Sequence, residues 1–135
     1  MKGDDFMRIA LIAHDKKKNE MIELAKEYKE VLDKHGLYAT GTTGALVMGE
    51  TGLTITRLKS GPLGGDQQIG AMIAEGKIDV LIFFCDNMIT QGHQQDVGAL
   101  SRLASLYNIA FAKVVILIVV ISLYSNPAPL VFKTW

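Results

Sequence analysis

Short apolar runs alternate with longer amphipathic stretches along this chain. Arg8–Ala13 (RIALIA) is continuous and apolar, the pattern of a strand buried on both faces of a parallel sheet. Over residues 16–35, Met21, Leu24, Ala25, Tyr28, Val31 and Leu32 recur at three- and four-residue steps, which predicts one amphipathic helix. Asp15 stands where its N-cap would fall and Gly36 where a C′ glycine would end it. Residues 37–40 read as a second strand, and Gly41-Thr42-Thr43-Gly44 opens a short helix to about Glu50. After Gly52, residues 53–58 alternate apolar and polar as a third strand. The glycine-rich turn 60–66 opens a helix to about Glu75, closed by Gly76. Val80–Phe84 (VLIFF) is a fourth strand, followed by a loop through His93, a helix over about 96–107 and a fifth strand starting over 109–112. Repeated strand–loop–helix units predict an α/β fold: one domain over 1–135, with a doubly wound, mainly parallel sheet and helices on both faces.

Composition narrows the functional classes. Fourteen Lys and Arg balance fourteen Asp and Glu, so there is no electrostatic footprint for nucleic acid. The single cysteine, Cys85, excludes an intramolecular disulfide and a Cys-rich zinc site, and a reducing, cytoplasmic setting follows most simply. The N-terminal apolar run is too short for a secretory signal. Residues 114–124 (VVILIVVISLY) hold nine Val, Ile or Leu in eleven positions, against the roughly 20 a membrane span needs. A soluble protein with no membrane partner is expected.

In such a sheet, ligands bind outside the carboxyl ends of the strands. Four polar clusters fall there: His14-Asp15, the stretch 40–44, the stretch 60–66, and Asp86 with His93 and Asp96. Gly41-Thr42-Thr43-Gly44 at a helix start offers backbone N–H groups, hydroxyls and a positive helix end, a combination that suits phosphate; taken alone, a tight turn with a threonine N-cap is the simpler reading. Ser60-Gly61 has the same two readings. Lys18 could reach the same edge as a cation, whereas Lys16 and Lys17 read as surface charges. Asp66, after Gly64-Gly65, is either an N-cap or a general base held by a glycine turn. Two histidines, four aspartates and a phosphate-type loop on one sheet edge point to proton-transfer chemistry. No Walker A, G-x-G-x-x-G or H-E-x-x-H pattern occurs, so no nucleotide cofactor and no metal is expected.

Three blocks carry a family resemblance: Ala10-Leu11-Ile12-Ala13-His14-Asp15, Leu37-Tyr38-Ala39-Thr40-Gly41-Thr42-Thr43-Gly44, and Ser60-Gly61-Pro62-Leu63-Gly64-Gly65-Asp66-Gln67-Gln68-Ile69-Gly70. In order and spacing they resemble methylglyoxal synthase over residues 7–112. The resemblance implies a cofactor-free, metal-free lyase that converts dihydroxyacetone phosphate to methylglyoxal and inorganic phosphate, typically as a homohexamer. By matching residue, it implies that Asp66 takes a proton to give an enediolate. His93 then sits by the carbonyl and hydroxyl oxygens. Lys18, Thr40, Thr42, Thr43, Ser60 and Gly61 hold the phosphate, and His14, Asp15, Asp86 and Asp96 complete the polar network.

The chain departs from that pattern in two places. Cys85-Asp86-Asn87 and Gly92-His93-Gln94-Gln95-Asp96 lack three prolines usual in the family, each worth about 0.4–1 kcal/mol of ordering. A less preorganised His93 and a weakened catalyst are expected. From Ala110 onward the resemblance lapses, and no arginine follows Arg102 to reach a neighbouring subunit's phosphate site. The β-branched run after Lys113 favours a strand, an interface or an aggregation-prone edge, and an altered terminus would give the same abrupt change. The competing functional reading is a binding module of the same fold for phosphate or a phosphorylated metabolite.

Overall fold

The computed structural model describes residues 6–84 and 93–113, and for residues 93–97 and 110–113 the backbone alone. Five parallel strands lie in the order β3-β2-β1-β4-β5: β1 is Arg8–Ala13, β2 Gly36–Ala39, β3 Thr56–Arg57, β4 Val80–Phe84 and β5 Ala110–Lys113. The helices are α1 (Lys18–Glu27), α2 (Lys29–Leu32), α3 (Gly41–Thr51), α4 (Gly65–Ala74) and α5 (His93–Leu106). Short 3-10 turns at Asp15–Lys17 and Gly61–Leu63 precede α1 and α4.

The strand alternation sorts the core into two layers. Ile9, Leu11 and Ala13 of β1, with Val80, Ile82 and Phe84 of β4, pack against Met21, Leu24 and Ala25 of α1, Leu32 of α2 and Val47 of α3. Ala10 and Ile12, with Leu81 and Phe83, pack on the other face against Ile69 and Ile73 of α4 and Leu100 of α5. The sheet is therefore covered on both sides, as the continuous apolar strands require. Gly70 lets α4 and α5 approach closely, because a methyl group there would stand 3.1 Å from the Leu103 side chain.

Several boundaries differ from the sequence reading. The helix expected over 16–35 is interrupted at Tyr28, whose φ of −109° and ψ of 27° separate α1 from α2. Asp15 is not an N-cap: it is the first residue of a 3-10 turn, and His14 takes the extended cap conformation. Gly36 does not close the helix but begins β2, paired with Arg8. The third strand shrinks to Thr56–Arg57, although Leu53 and Ile55 are still buried before it. Gly52 and Gly76 do end their elements, with φ of 77° and 75°. His93 belongs to the first turn of α5 rather than to the preceding loop. Cys85, Asp86 and the run 114–124 lie outside the described residues. Among the described residues, no helix is long and apolar enough to cross a membrane.

The order of the strands sets where a ligand can enter. The chain winds from β1 out to β3, then returns across the sheet to β4, so winding reverses between β1 and β4. A crevice opens outside the carboxyl ends at such a point. The opposite end of the same strand pair is tied shut. Asp79 Oδ2 accepts from the Arg8 backbone N–H at 2.9 Å and from Arg8 Nε at 3.2 Å. Arg8 Nη2 also donates to the Gly76 carbonyl at 2.9 Å. Both side chains are partly exposed, so Asp79→Ala is expected to cost about 1–2 kcal/mol, less than a buried charged hydrogen bond would. Thermal unfolding checks this, and Asp79→Asn, which keeps an acceptor for the backbone N–H, should recover part of the loss.

Candidate active site

Three chain segments arrive at the crevice with the same backbone. His14, Thr40 and Ser60 each precede a helical turn in extended conformation, with φ/ψ of −64°/159°, −65°/156° and −64°/158°. None of the three uses its side chain to cap that turn. The Thr40 and Ser60 hydroxyls are thus not committed to the helix starts, against the reading of these segments as ordinary N-caps. At the start of α3 the N–H groups of Thr42 and Thr43 have no intrahelical carbonyl to reach, and they add donors at the positive end of an eleven-residue helix.

The segments are locked to one another by the backbone. The His14 N–H donates to the Phe84 carbonyl at 3.1 Å, joining the ends of β1 and β4. The Gly41 N–H donates to the Lys59 carbonyl at 3.1 Å, and the Lys59 N–H donates to Gln68 Oε1 at 2.8 Å. Arg57 Nε donates to the Gly41 carbonyl at 3.2 Å. Its aliphatic stem lies across Gly44, where a methyl group would meet Arg57 Cγ at 2.7 Å. A glycine is needed there for space.

Lys18 opens α1 and turns inward. Its Nζ donates to the Ala13 carbonyl at 2.6 Å and to Thr43 Oγ1 at 3.2 Å, and lies 3.5 Å from Asp15 Oδ1. Thr43 is buried and its hydroxyl lies 3.5 Å from that of Thr40. Burial pushes the Lys18 ammonium below the usual lysine range, and the charges of Asp15 and Asp66 oppose that shift. Two carboxylates thus flank the one lysine of the described site.

Asp66 is not an N-cap. It is the second residue of α4, whose cap position belongs to Gly64 in left-handed conformation at φ 108°. Its side chain is buried, with the residue only 5% exposed, and lies against the bare Cα of Gly61: a methyl group there would stand 3.5 Å from Asp66 Oδ1. His14 is buried too, its ring edge-on to Phe83 at 5.2 Å. Between these groups is a cavity of about 60 Å³, walled by His14, Asp15, Lys18, Thr40, Thr42, Ser60, Gly61, Pro62 and Asp66 over the ends of Ile12 and Ala13. Among the described residues no group of three or more His, Cys, Asp or Glu is placed to hold a metal ion.

A small anion would find a lysine, three hydroxyls and helix-end N–H groups here, with a buried carboxylate facing whatever the anion is attached to. Comparison with known proteins gives that arrangement a lineage. The family model described as the MGS-like domain matches residues 20–113. The methylglyoxal synthase of Bacillus cereus is 58% identical over 106 residues, spanning 78% of this chain and 81% of its own. That of Enterococcus faecalis is 60% identical, spanning 78% and 76%. The crystal structure of methylglyoxal synthase from Elizabethkingia anophelis superposes with a TM-score of 0.79 at 42% identity, covering 91% of this chain and 80% of that one. This chain belongs to the methylglyoxal synthase family.

Of the residues singled out for a methylglyoxal synthase site, His14, Asp15, Lys18, Thr40, Thr42, Ser60, Gly61 and Asp66 share one cavity. Thr43 stands behind it, bonded to Lys18. His93 and Asp96 lie on the first turn of α5, and Asp86 is outside the described residues. The sequence reading missed the groups that build the site without lining it. Arg57 was only a polar position in an alternating strand. Gln68 stood inside the quoted block with no role, and the Ala13 carbonyl carries no sequence signal at all.

Proposed function

We propose that this chain converts dihydroxyacetone phosphate to methylglyoxal and inorganic phosphate, with Asp66 as the base that opens the reaction. The observation that carries this reading is the buried Asp66 carboxylate lying against Gly61, at a cavity also lined by the phosphate-type donors Lys18, Thr40, Thr42 and Ser60. With the phosphate on Lys18, Thr40, Thr42, Thr43, Ser60 and the Gly61 backbone, the substrate's hydroxyl-bearing carbon projects toward Asp66. Loss of a proton there gives an enediolate. His93 serves the carbonyl and hydroxyl oxygens as electrophile and proton shuttle, and His14, Asp15, Asp86 and Asp96 orient the network.

Elimination then needs the bridging C–O bond perpendicular to the enediolate plane, so that its electrons leave as the π system collapses. Donors on three separate segments fix the phosphate and so fix that torsion. Lys18 contributes positive charge at the leaving phosphate. The chain works as a soluble, cytoplasmic homohexamer, with phosphate as product and inhibitor; these finer points rest on the resemblance.

The test is incubation of the purified protein with dihydroxyacetone phosphate while both products are followed. Equal amounts of methylglyoxal and inorganic phosphate are expected. A rise in melting temperature with the substrate, but no product, would replace the enzyme with the binding module. Lys18→Met should raise KM for the substrate by about tenfold or more, because it removes a charge-assisted hydrogen bond worth about 1.5–3 kcal/mol. An unchanged KM would remove Lys18 from the phosphate site.

A further inference from the structure

We infer that Asp15 is a built-in competitor for the phosphate site: its carboxylate holds the third donor of Lys18 until an incoming phosphate displaces it. The inference rests on the phosphate reading of the cavity given above. An ammonium has three protons and no more. In Lys18 one goes to the Ala13 carbonyl at 2.6 Å, one to Thr43 Oγ1 at 3.2 Å, and the remaining direction faces Asp15 Oδ1 at 3.5 Å.

These three partners are not equally fixed. Ala13 ends the central strand, and Thr43 is 1% exposed in the first turn of α3. Neither can move without moving the fold. The Asp15 side chain is 97% exposed, against 13% for Lys18, and it hangs from a 3-10 turn in solvent. Exposed ion pairs of this kind are weak. Asp15 is therefore the partner that leaves, and the donor it vacates opens on the cavity that both residues line.

The electrostatics make the same point from the other side. Asp66 lines the same cavity and also acts on Lys18 electrostatically, so two carboxyl groups share the surroundings of one lysine while Asp15 stays in place. A phosphate entering then would meet two carboxylates and a lysine with no proton to give. Displacing Asp15 removes one of those charges from the lysine and frees the proton together. Asp15 thus sets a threshold that weakly charged ligands fail to cross, and it lowers retention of the phosphate product.

Calorimetric titration of the 135-residue chain with inorganic phosphate tests this. Asp15→Asn keeps the shape of an exposed side chain, so folding is not at stake. It is expected to bind phosphate about two- to fivefold more tightly than the parent. That gain should shrink between about 0.05 and 0.5 M KCl, as screening weakens the exposed pair. In a Lys18→Met background the same substitution should change nothing, since there is no ammonium left to compete for. Weaker or unchanged phosphate binding in Asp15→Asn would overturn the inference. So would a gain that persists with Lys18→Met, which would mean direct repulsion of the anion. If neither the parent nor Asp15→Asn binds phosphate, the reading of the cavity falls, and the competitor with it.

Discussion

Asp66→Asn is expected to cut methylglyoxal and phosphate formation together, by about 10²–10⁴-fold, the usual share of a positioned general base. The carboxamide has the same shape as the carboxylate and fits the slot beside Gly61, so the fold and the cavity should survive. It cannot accept a proton at neutral pH. Because a negative charge near Lys18 is removed, phosphate should bind the variant at least as tightly as the parent. Loss of turnover with phosphate binding retained is therefore the signature of a base. Substantial turnover in Asp66→Asn would move the proton transfer to another carboxylate. Loss of both turnover and binding, with a lowered melting temperature, would make Asp66 a structural residue.

The second large effect belongs to Gly65. A methyl group there would stand 1.8 Å from the Lys59 carbonyl oxygen, 2.8 Å from its carbon and 3.0 Å from the Ser60 carbonyl carbon. All three are backbone atoms, so no side-chain rotation relieves the clash. The Lys59 carbonyl also accepts from the Gly41 N–H, and the Ser60 carbonyl from the Gly65 N–H. Pushing this strand of backbone aside disturbs the start of α3 and the Ser60-Gly61 turn at once. Gly65→Ala should cost about 3 kcal/mol or more, at or beyond the upper end for overpacked positions, and should raise KM as well. Gly49→Ala is the matching control. It sits in α3 with nothing within 4 Å of the added methyl, so a gain of about 0.5–1 kcal/mol is expected. Thermal unfolding of the two variants side by side checks both; a parent-like melting temperature for Gly65→Ala would mean that the Lys59–Ser60 backbone yields easily.

The parts of the fold legible in the sequence were those with one dominant cause. Val80–Phe84 is apolar at every position because both sheet faces are covered, and the strand has the length its pattern gives. Gly52 and Gly76 mark ends where the backbone turns left-handed. Elements with two competing causes were less legible. Apolar spacing continues through Tyr28, yet the helix breaks there while Leu24 and Leu32 still join one layer, so the periodicity hides the interruption. Leu53 and Ile55 are buried without pairing in the sheet, so alternation alone overstates β3. In the site, residue types were readable but directions were not. Lys18 stood apart from Lys16 and Lys17 as a cation for this edge, but its partners were not readable; only the fold turns it toward Ala13 and Thr43. Asp15 and Asp66 both resembled caps, and neither is one, because His14 and Gly64 take those positions.

The alternation of β1 has a consequence for how this chain can change over time. Its successive residues belong to opposite helical layers, and His14 follows directly at its end. Deleting or inserting a single residue between Ile9 and Ala13 would exchange the two sets of packing partners at a stroke and shift His14 by one place. Point substitutions of similar size are tolerable in this strand, whereas a change of its length by one is not. A change of length by one residue is better absorbed in segments that contribute to one layer only.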